Sequence, residues 1–306
     1  VVTGYSHTCA ITADRTLWCW GANTSGQLGN GQTVGSSVPV QVMTDADRPL
    51  ENVVRAAAGR SHTCALTDAG AVYCWGSNFS GQLGNGTNTD QHYAAALPTL
   101  SSSVADLSAG EYHACALKVD GTAWCWGSNT YGQVGVTGGG NETLPVSVDW
   151  GTSVPPMLIS VSCGESFTCV ASSAGAAYCF GNNTYGQLGN GGSVSSSRPV
   201  TVSLTDPVQG VAGGGSHACA VLQNGSLQCW GMNLYGQLGD GTQTQRTSPV
   251  PVLNLAGANR MDGGKRHTCA VADGKLFCWG ANSQGQVGDG SYTDRVLPVP
   301  VDVSSM

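Results

Sequence analysis

The sequence predicts an all-β fold, a β-propeller of six four-stranded blades. The stretch at residues 62–86 occurs in six related copies, whose first cysteines are 55, 51, 54, 50 and 50 residues apart. A period of this size indicates an array of similar supersecondary units. Each unit offers four short apolar runs and no helical segment, which favours radial blades over a linear solenoid. We expect one domain over 1–306, with repeats at approximately 1–52, 53–103, 104–158, 159–208, 209–258 and 259–306.

The second copy shows why the two central runs should be strands. Thr63–Leu66 and Ala71–Trp75 flank a short loop that contains Gly70, a pattern typical of a β-hairpin. Glycine suits this slot because it adopts positive φ without a Cβ clash. Arg15 fills the slot in the first copy, which predicts a strained or different turn there. Asp273-Gly274 in the sixth copy predicts a two-residue turn.

The hairpin is flanked by two further runs. A short run ending in glycine precedes it, as in Val53–Gly59, and a proline-containing run follows it, as in Val38–Val42. Proline cannot donate a hydrogen bond to a β-ladder, so we expect the proline runs to be edge strands or the starts of strands. The motif between the hairpin and the proline-containing run, Gly-x-Asn-x-x-Gly-Gln-Leu/Val-Gly, predicts a tightly wound loop. It lacks the strand-to-helix context of phosphate-binding loops.

Twelve of the thirteen cysteines fall in register as six pairs. Their spacing is ten residues in five copies and nine in the sixth, whose hairpin loop is one residue shorter. The two members should therefore face each other across each hairpin. This predicts disulfides and an oxidising compartment, with reduced core thiols and metal ligation as alternatives. The predicted pairs are Cys9 with Cys19, Cys64 with Cys74, Cys115 with Cys125, Cys169 with Cys179, Cys219 with Cys229, and Cys269 with Cys278.

Cys163 is the remaining cysteine, and we interpret it as a thiol outside the disulfides. It replaces a small residue of the repeat, Ala58, Ala109 or Gly213. A buried small side chain is the simplest interpretation. An intermolecular or reactive thiol is the alternative.

Composition excludes several classes of partner. The chain has 12 Lys and Arg against 19 Asp and Glu, a net charge of −7, which argues against nucleic acid. Charged residues make up only 10% of the chain, so the surface must consist mostly of uncharged polar residues and glycine. No apolar run reaches the length of a membrane span. The chain has neither an initiator Met nor a signal-peptide pattern, and we interpret it as processed or cut from a longer precursor.

Two motifs resemble the regulator of chromosome condensation repeat family. Gly-x-x-His-x-x-Ala-Leu stands at Gly59–Leu66, and Trp-Gly-x-Asn-x-x-Gly-Gln-Leu-Gly at Trp75–Gly84. The resemblance extends over essentially the whole chain and implies a propeller of four-stranded blades. The best-known members have seven repeats, and this chain has six. The cysteine pairs resemble those of secreted or surface-exposed members.

The family includes a chromatin-bound exchange factor, a plant photoreceptor and a secreted β-lactamase inhibitor. The exchange factor's chromatin role uses a basic tail, which this chain lacks. The photoreceptor carries tryptophans after the glycine of the first motif, so light sensing is not expected here. That position holds Tyr5, Arg60, Glu111, Glu165, Gly215 and Lys265. Protein binding of the inhibitor's kind stays open.

Two residue types recur once per repeat and are interpreted as structural. Imidazoles around a channel could bind a metal, but the resemblance implies a histidine hydrogen-bonded within its own blade, and no metal site is predicted. The histidines are His7, His62, His113, His217 and His267, with Phe167 in the fourth copy. The recurring aromatic residues are expected to pack between sheets. They are Trp20, Trp75, Trp126, Phe180, Trp230 and Trp279.

Aromatic residues that do not recur are the better candidates for binding, because loops on a rigid scaffold carry function. The candidates are Trp150, Tyr93, Tyr131, Tyr185, Tyr235 and Tyr292. The stretches 87–107 and 136–158 break the repeat pattern and are the expected place for a special contact. Asn-x-Ser/Thr sequons predict glycan sites if the protein is secreted by a eukaryote. They begin at Asn23, Asn78, Asn85, Asn141, Asn182 and Asn224.

Two functions fit these observations. The first is an extracellular, non-enzymatic binding or structural module that presents loops to a protein or glycan partner, within a surface assembly or with copies of itself. It would be secreted, at the cell surface or periplasmic. The alternative is a hydrolase or lyase at the mouth of the propeller channel, which needs clustered carboxylates or a histidine on one rim. No nucleophile–base–acid set stands out, so neither a catalytic residue nor a cofactor is predicted.

Closure of the array should depend on its two ends. The chain begins with a shortened copy of the first strand and ends at Val299–Val303, a copy of Val38–Val42. We expect these ends to lie side by side and to complete the sheet there, since an open array would leave free edges.

Overall fold

A computed structural model describes residues 1–301 of the chain. Those residues form six four-stranded antiparallel sheets in which strands consecutive in sequence are hydrogen-bonded neighbours. The predicted fold class, an all-β propeller of six blades, is confirmed. The chain divides into two compact units, Val1–Pro155 and a second that begins at Pro156. The predicted closing run, Val299–Val303, extends beyond the described residues, and ring closure and the single-domain organisation stay predictions.

The first unit contains blades 1 to 3. Blade 1 consists of β1 (Val2–Thr3), β2 (His7–Ile11), β3 (Leu17–Gly21) and β4 (Ser36–Gln41). Blade 2 consists of β5 (Val53–Ala58), β6 (His62–Thr67), β7 (Val72–Gly76) and β8 (Gln91–Ala96), and a 3₁₀ turn (Pro98–Leu100) follows it. Blade 3 consists of β9 (Val104–Ala109), β10 (His113–Lys118), β11 (Ala123–Gly127) and β12 (Glu142–Ser147).

The second unit contains blades 4 to 6. Blade 4 consists of β13 (Leu158–Cys163), β14 (Phe167–Ser172), β15 (Ala177–Gly181) and β16 (Ser196–Thr201). Blade 5 consists of β17 (Val208–Gly213), β18 (His217–Leu222), β19 (Leu227–Gly231) and β20 (Arg246–Pro251). Blade 6 consists of β21 (Ala258–Gly263), β22 (His267–Ala272), β23 (Lys275–Gly280) and β24 (Arg295–Pro300). Within residues 1–301, no helix is both long and apolar enough to span a bilayer.

The hairpin register agrees with the prediction. Cys64 pairs with Cys74 and Leu66 with Val72 across β6 and β7. The proline-containing runs are the fourth strands and lie at the sheet edges, as expected from the missing donor. Arg15 does take the left-handed conformation of its glycine slot, with φ of 63°, and its guanidinium lies 2.8 Å from Asp68 on the next blade.

All six predicted cysteine pairs are disulfides. Each lies between the second and third strands of its own blade, with Cα–Cα distances of 4.0 to 4.1 Å. This spacing is closer to the roughly 4.5 Å of a directly opposed, non-hydrogen-bonded pair than to the roughly 5.5 Å of a hydrogen-bonded pair. The prediction therefore holds in every blade, and reduced thiols and metal ligation are not the state of these twelve residues. The disulfides join Cys9 to Cys19, Cys64 to Cys74, Cys115 to Cys125, Cys169 to Cys179, Cys219 to Cys229, and Cys269 to Cys278.

Cys163 stands outside these disulfides and is buried at the end of β13. The hydroxyl of Thr168 on the neighbouring strand lies 3.9 Å from its sulfur. A small core side chain requires a buried position of this kind, whereas a reactive thiol requires access to solvent.

The asparagine of the loop motif holds the loop together through hydrogen bonds, as blade 2 shows. The carboxamide oxygen of Asn78 accepts from the backbone N–H of Leu83, and its Nδ2 donates to the backbone carbonyls of Thr87 and Thr89. One buried side chain thereby fixes both halves of the loop. A hydrophobic or shorter residue at this position would leave these loop groups without a buried partner.

The same motif joins neighbouring blades. The indole Nε1 of Trp126 in blade 3 donates to the backbone carbonyl of Gln82 in blade 2, at 2.9 Å. Gly84 has φ of +66°, and a Cβ there would lie 2.8 Å from Trp126 Cδ1, so glycine is needed for both backbone and space. Of the six recurring aromatic residues, five are fully buried as predicted. Trp20 is half-buried.

Four of the five recurring histidines are buried and His267 is half-buried, but the hydrogen bonds of two of them differ from the expectation. His7 Nε2 lies 2.9 Å from Thr63 Oγ1, and that hydroxyl donates to the backbone carbonyl of Gln27. Because the hydroxyl proton is already used, the imidazole must donate from Nε2. His217 and Thr268 repeat this contact at 2.8 Å. Both threonines belong to the following blade, so the expected bond within the same blade is wrong for these two histidines.

Stability should fall in mild acid because of these histidines. Burial lowers the pKa of His7 to about 4 and the pKa values of His62 and His217 to about 3. The unfolded chain takes up protons near pH 6.5 that the folded chain cannot, so stability is complete above pH 6.5 and is lost between 6.5 and the folded pKa values. Each histidine should contribute a slope of about 1.4 kcal/mol per pH unit. Urea unfolding between pH 7 and pH 4.5 measures this slope.

The chain itself supplies the control. Phe167 occupies the histidine position in blade 4 and is fully buried. A Cβ on Gly164 would lie 1.9 Å from its ring, much as one on Gly59 would lie 2.1 Å from the ring of His62. Phenylalanine therefore fits this site, and His62→Phe should reduce the slope by about 1.4 kcal/mol per pH unit. An unchanged slope would show that His62 is not one of the titrating groups.

Candidate functional site

The irregular loops of each blade leave the sheet at one edge. In blade 2 the loop between β5 and β6 and the loop between β7 and β8 are joined by a hydrogen bond from Ser77 N–H to the Ser61 carbonyl, 2.8 Å. Ser128 and Tyr112 repeat it in blade 3. We call this side of a blade the loop edge. The hairpin turn lies at the opposite edge of the blade.

In the first unit, the loop edge carries a group of aromatic rings around one guanidinium. The Arg60 Cζ lies 4.9 Å from the ring centre of Tyr5 and 5.7 Å from that of Tyr112. Phe79 meets Tyr112 edge to face, with ring centres 5.1 Å apart. Glu111 forms an ion pair with Arg60. We call these five residues the Arg60 cluster; Tyr5 is 58% exposed and Phe79 60% exposed.

Three blades assemble this cluster. Tyr5, Arg60 and Glu111 occupy equivalent positions in the first loops of blades 1, 2 and 3. Backbone bonds hold these loops together: Tyr5 N–H donates to the Gly59 carbonyl, and Arg60 N–H donates to the Glu111 carbonyl. The cluster is therefore pre-organised by backbone geometry. Its Tyr5 and Phe79 rings are exposed, and Tyr112 is half-buried.

The loop edge of the second unit has a different composition. Glu165 and Lys265 form an ion pair at 2.8 Å. The Arg266 Cζ lies 4.9 Å from the ring centre of Tyr235. Tyr185 and Leu234 project from the third-to-fourth-strand loops of blades 4 and 5 and are exposed. The loop-edge glutamate of this unit, like Glu111 in the first, is thus engaged by a basic partner.

The structure separates the predicted binding residues. Tyr131, Tyr185, Tyr235 and Tyr292 lie in loops at the loop edges of their blades, as expected. Trp150 follows β12, in the connection at the opposite edge of blade 3, and is half-buried. The six predicted candidates therefore do not form one site.

The prediction that Tyr93 is a loop residue is wrong. It lies inside β8 and is half-buried. A Cβ on Gly31 of the preceding blade would lie 2.3 Å from the Tyr93 ring, so this tyrosine fills the space above a glycine. Its role is packing between blades 1 and 2.

Two of the six predicted glycan sites are also wrong. Asn23 and Asn78 are buried. The Nδ2 that would carry a glycan donates instead to loop oxygens, for Asn23 to Asn30 Oδ1 and the carbonyls of Gln32 and Val34. The folded protein therefore excludes a glycan at these two positions. Asn141 and Asn224 are exposed, Asn85 and Asn182 are half-buried, and glycosylation of these four stays a prediction.

Sequence-based prediction did not select the Arg60 cluster as a binding site, although a signal exists. The slot of Phe79 holds Thr24, Thr130 and Thr184 in three other copies. A large apolar residue that replaces a small polar one in a repeat, and stays exposed, has no role in the shared fold. Departures of this kind identify surface sites in a repeat protein.

The family comparison agrees with these features. A family model described as the RCC1-like domain matches residues 1–306. The chain belongs to the RCC1-like domain family. The ultraviolet-B receptor UVR8 of Arabidopsis thaliana is 34% identical over 214 residues, which are 70% of this RCC1-like chain and 47% of the receptor. The human probable E3 ubiquitin-protein ligase HERC4 is 32% identical over 206 residues, 66% of this chain and 19% of the ligase. The chain spans less than half the length of these relatives.

Solved structures extend the fold comparison. Human WBSCR16 superposes on this RCC1-like chain with a TM-score of 0.88 and 26% identity, over 98% of this chain and 80% of WBSCR16. Yeast Prp20, solved bound to Kap60, has a TM-score of 0.83 and 21% identity, over 99% of this chain and 75% of Prp20. The second likeness is one of fold alone. The family resemblance expected from the repeat motifs is confirmed.

Proposed function

We propose that this RCC1-like chain is a non-enzymatic protein-binding module that uses the Arg60 cluster as its contact surface. The main support is the pre-organised arrangement of Tyr5, Arg60, Tyr112 and Phe79 at the loop edge of blades 1 to 3. Aromatic residues and arginine are the side chains enriched at the centres of protein interfaces. Removing the exposed rings from water stabilises a complex with the partner that covers them.

The cluster also has the charge pattern of a contact surface. The Arg60 charge is balanced by Glu111, so a partner can cover the rings without leaving an uncompensated cation. The ion pair of Glu111, like that of Glu165 with Lys265, does not favour the enzymatic alternative, which needs carboxylates available to a substrate. The relative UVR8 is a receptor, which is consistent with a binding role.

The proposed location is extracellular, at the cell surface or periplasmic. Six disulfides in one chain support an oxidising compartment, because cytosolic thiols are kept reduced. There the chain would act within a surface assembly, with other subunits, glycans or copies of itself as further partners. Protection assays on intact cells expressing the native full-length protein test this location.

Crosslinking tests the contact surface. A photoreactive phenylalanine analogue placed at Phe79, in the native host, should capture a protein partner. With that purified protein, Arg60→Ala and Phe79→Thr should each weaken binding about tenfold or more, the effect of losing an interface anchor. Threonine is the residue that three other copies carry in this slot, so Phe79→Thr should leave the melting temperature unchanged.

Tyr292 supplies the control. It is 76% exposed, on the loop edge of blade 6, and within residues 1–301 its ring stacks on no other ring or cation. The analogue at position 292 should capture the partner poorly, and Tyr292→Ser should bind normally. Equal capture at both positions, or full affinity of Arg60→Ala and Phe79→Thr, would overturn the proposal.

A further inference from the structure

A hollow of about 240 Å³ opens at the loop edge of the second unit, between the loops of blades 4 and 5. Tyr185 of blade 4 forms one side. Blade 5 supplies all the other lining residues, which are Met232, Asn233, Leu234, Gln243 and Gln245. The hollow is smaller than a pocket for a drug-sized ligand, so its size suits a single ring or a side chain.

Departures from the repeat create this hollow. The Met232 position holds Ala22, Ser77, Ser128, Asn182 and Ala281 in the other copies. The Leu234 position holds threonine in three copies, serine in one and phenylalanine in one. Blade 5 thus has two large apolar side chains where most blades have small or polar ones. Shared packing does not require them, since the other blades fold without them.

The walls of the hollow are rigid. Asn233 is buried, and its amide is fully used by Asp240 Oδ1, the carbonyls of Thr242 and Thr244, and the N–H of Leu238. The backbone N–H of Tyr185 donates to Gln187 Oε1 at 2.8 Å. A Cβ on Gly186 would lie 2.6 Å from Thr247 Cα of blade 5. The blade 4 loop is therefore in close contact with β20 of blade 5, and the tyrosine is held over the neighbouring blade.

The polar groups at the rim are available to a ligand. Within residues 1–301, the amides of Gln243 and Gln245 and the hydroxyl of Tyr185 make no hydrogen bond. Each amide offers donors and an acceptor side by side. No lining residue carries a charge. Arg246, which follows Gln245, is bound to Asp240 at 2.8 Å and is not available to an anion.

We propose that this hollow binds a neutral sugar residue of a glycan. The apolar C–H face of a pyranose ring can pack on Tyr185, Met232 and Leu234, while its hydroxyls exchange hydrogen bonds with the two glutamine amides. A protein side chain could fill the apolar part, but it would leave most of these donors and acceptors without partners, which costs free energy on desolvation. An acidic sugar would meet no cation here. This site shares no residue with the Arg60 cluster, and the inference does not depend on that cluster.

Saturation-transfer NMR on the full chain tests the inference, with the methyl glycosides of glucose, galactose, mannose and N-acetylglucosamine as probes. At least one of these neutral sugars should give a signal, and glucuronic and sialic acids should give none. Tyr185→Ser and Gln243→Ala should each reduce the affinity tenfold or more. Tyr131→Ser is the matched control, because Tyr131 holds the same slot in blade 3 and is exposed; it should bind like the parent.

The outcomes separate this site from the protein-binding surface. Phe79→Thr should leave the sugar signal unchanged, so failure at one surface says nothing about the other. Absence of signal from every neutral sugar overturns the inference, as does an equal loss in Tyr131→Ser. If Tyr185→Ser instead weakens a protein captured through position 79 while no sugar binds, the hollow belongs to the protein interface and the glycan assignment is wrong. Melting temperatures of all variants should match that of the parent protein.

Discussion

Reduction of all six disulfides should unfold the protein at 25 °C. Each disulfide closes a hairpin of nine or ten residues and should stabilise the fold by about 2–3 kcal/mol through the lower entropy of the unfolded chain. Six such contributions rival the whole stability of a typical domain, about 5–15 kcal/mol. Both cysteines are buried in five of the disulfides, and Cys269 of the sixth is half-buried, so reduction of all six requires denaturant. After the denaturant is removed under reducing conditions, circular dichroism and tryptophan fluorescence should show no native sheet.

A single-blade variant calibrates this result. Cys64→Ala with Cys74→Ala removes one disulfide, and should cost about 2–3 kcal/mol in urea unfolding while the chain still folds. Cys163→Ala is the control for loss of a thiol, because Cys163 belongs to no disulfide. A reduced chain that refolds with an unchanged melting temperature would show that blade packing alone determines the stability.

Trp126→Ala should have the second-largest effect, a loss of about 3–5 kcal/mol, the usual cost of deleting a large buried aromatic side chain. The ring of Trp126 is fully buried among residues of blades 2 and 3. Its removal leaves a cavity, and it also deprives the Gln82 carbonyl of the indole donor. Urea or thermal unfolding measures the loss.

Trp124→Ala is the matched control on the same strand, β11. Trp124 is half-buried, and its Nε1 bonds to Thr122 Oγ1 within its own hairpin, at 3.1 Å. Its loss should cost about 1 kcal/mol, a typical value for a point mutation. If the two variants were equally unstable, the contact between neighbouring blades would not be the reason for the repeated tryptophan.

The elements of each blade could be predicted because their signals are local. Cys64 and Cys74 are ten residues apart around a glycine turn, so alternation of side chains alone places them opposite each other. Cys269 and Cys278 are nine apart around a shorter turn, and the same rule places them opposite each other. Arg15 could be identified as a departure because four other copies have glycine in the same slot of the turn. Repetition supplied this comparison within one chain, and it made the register, the disulfides and the edge strands predictable.

The candidate sites were less predictable because they combine residues from different blades. Tyr185 was selected as an irregular aromatic residue, but its partners Met232 and Leu234 lie about one repeat away. Tyr93 looked similar in sequence and lies in a packed strand, because Gly31 of the preceding blade leaves space for its ring. Asn23 and Asn78 match a sequon, yet the Nδ2 of each donates hydrogen bonds to backbone carbonyls of its own loop.

By itself, the sequence determined the number of blades, the hairpin register, the cysteine pairing and the family, since all four depend on spacing along the chain. The tertiary structure decided which exposed side chains meet: the rings around Arg60, the hollow beside Tyr185, and the bond from His7 to Thr63 of the next blade. The physical reason is that contacts between blades join residues roughly 50 positions apart. Their geometry depends on how whole sheets pack, which no local pattern specifies.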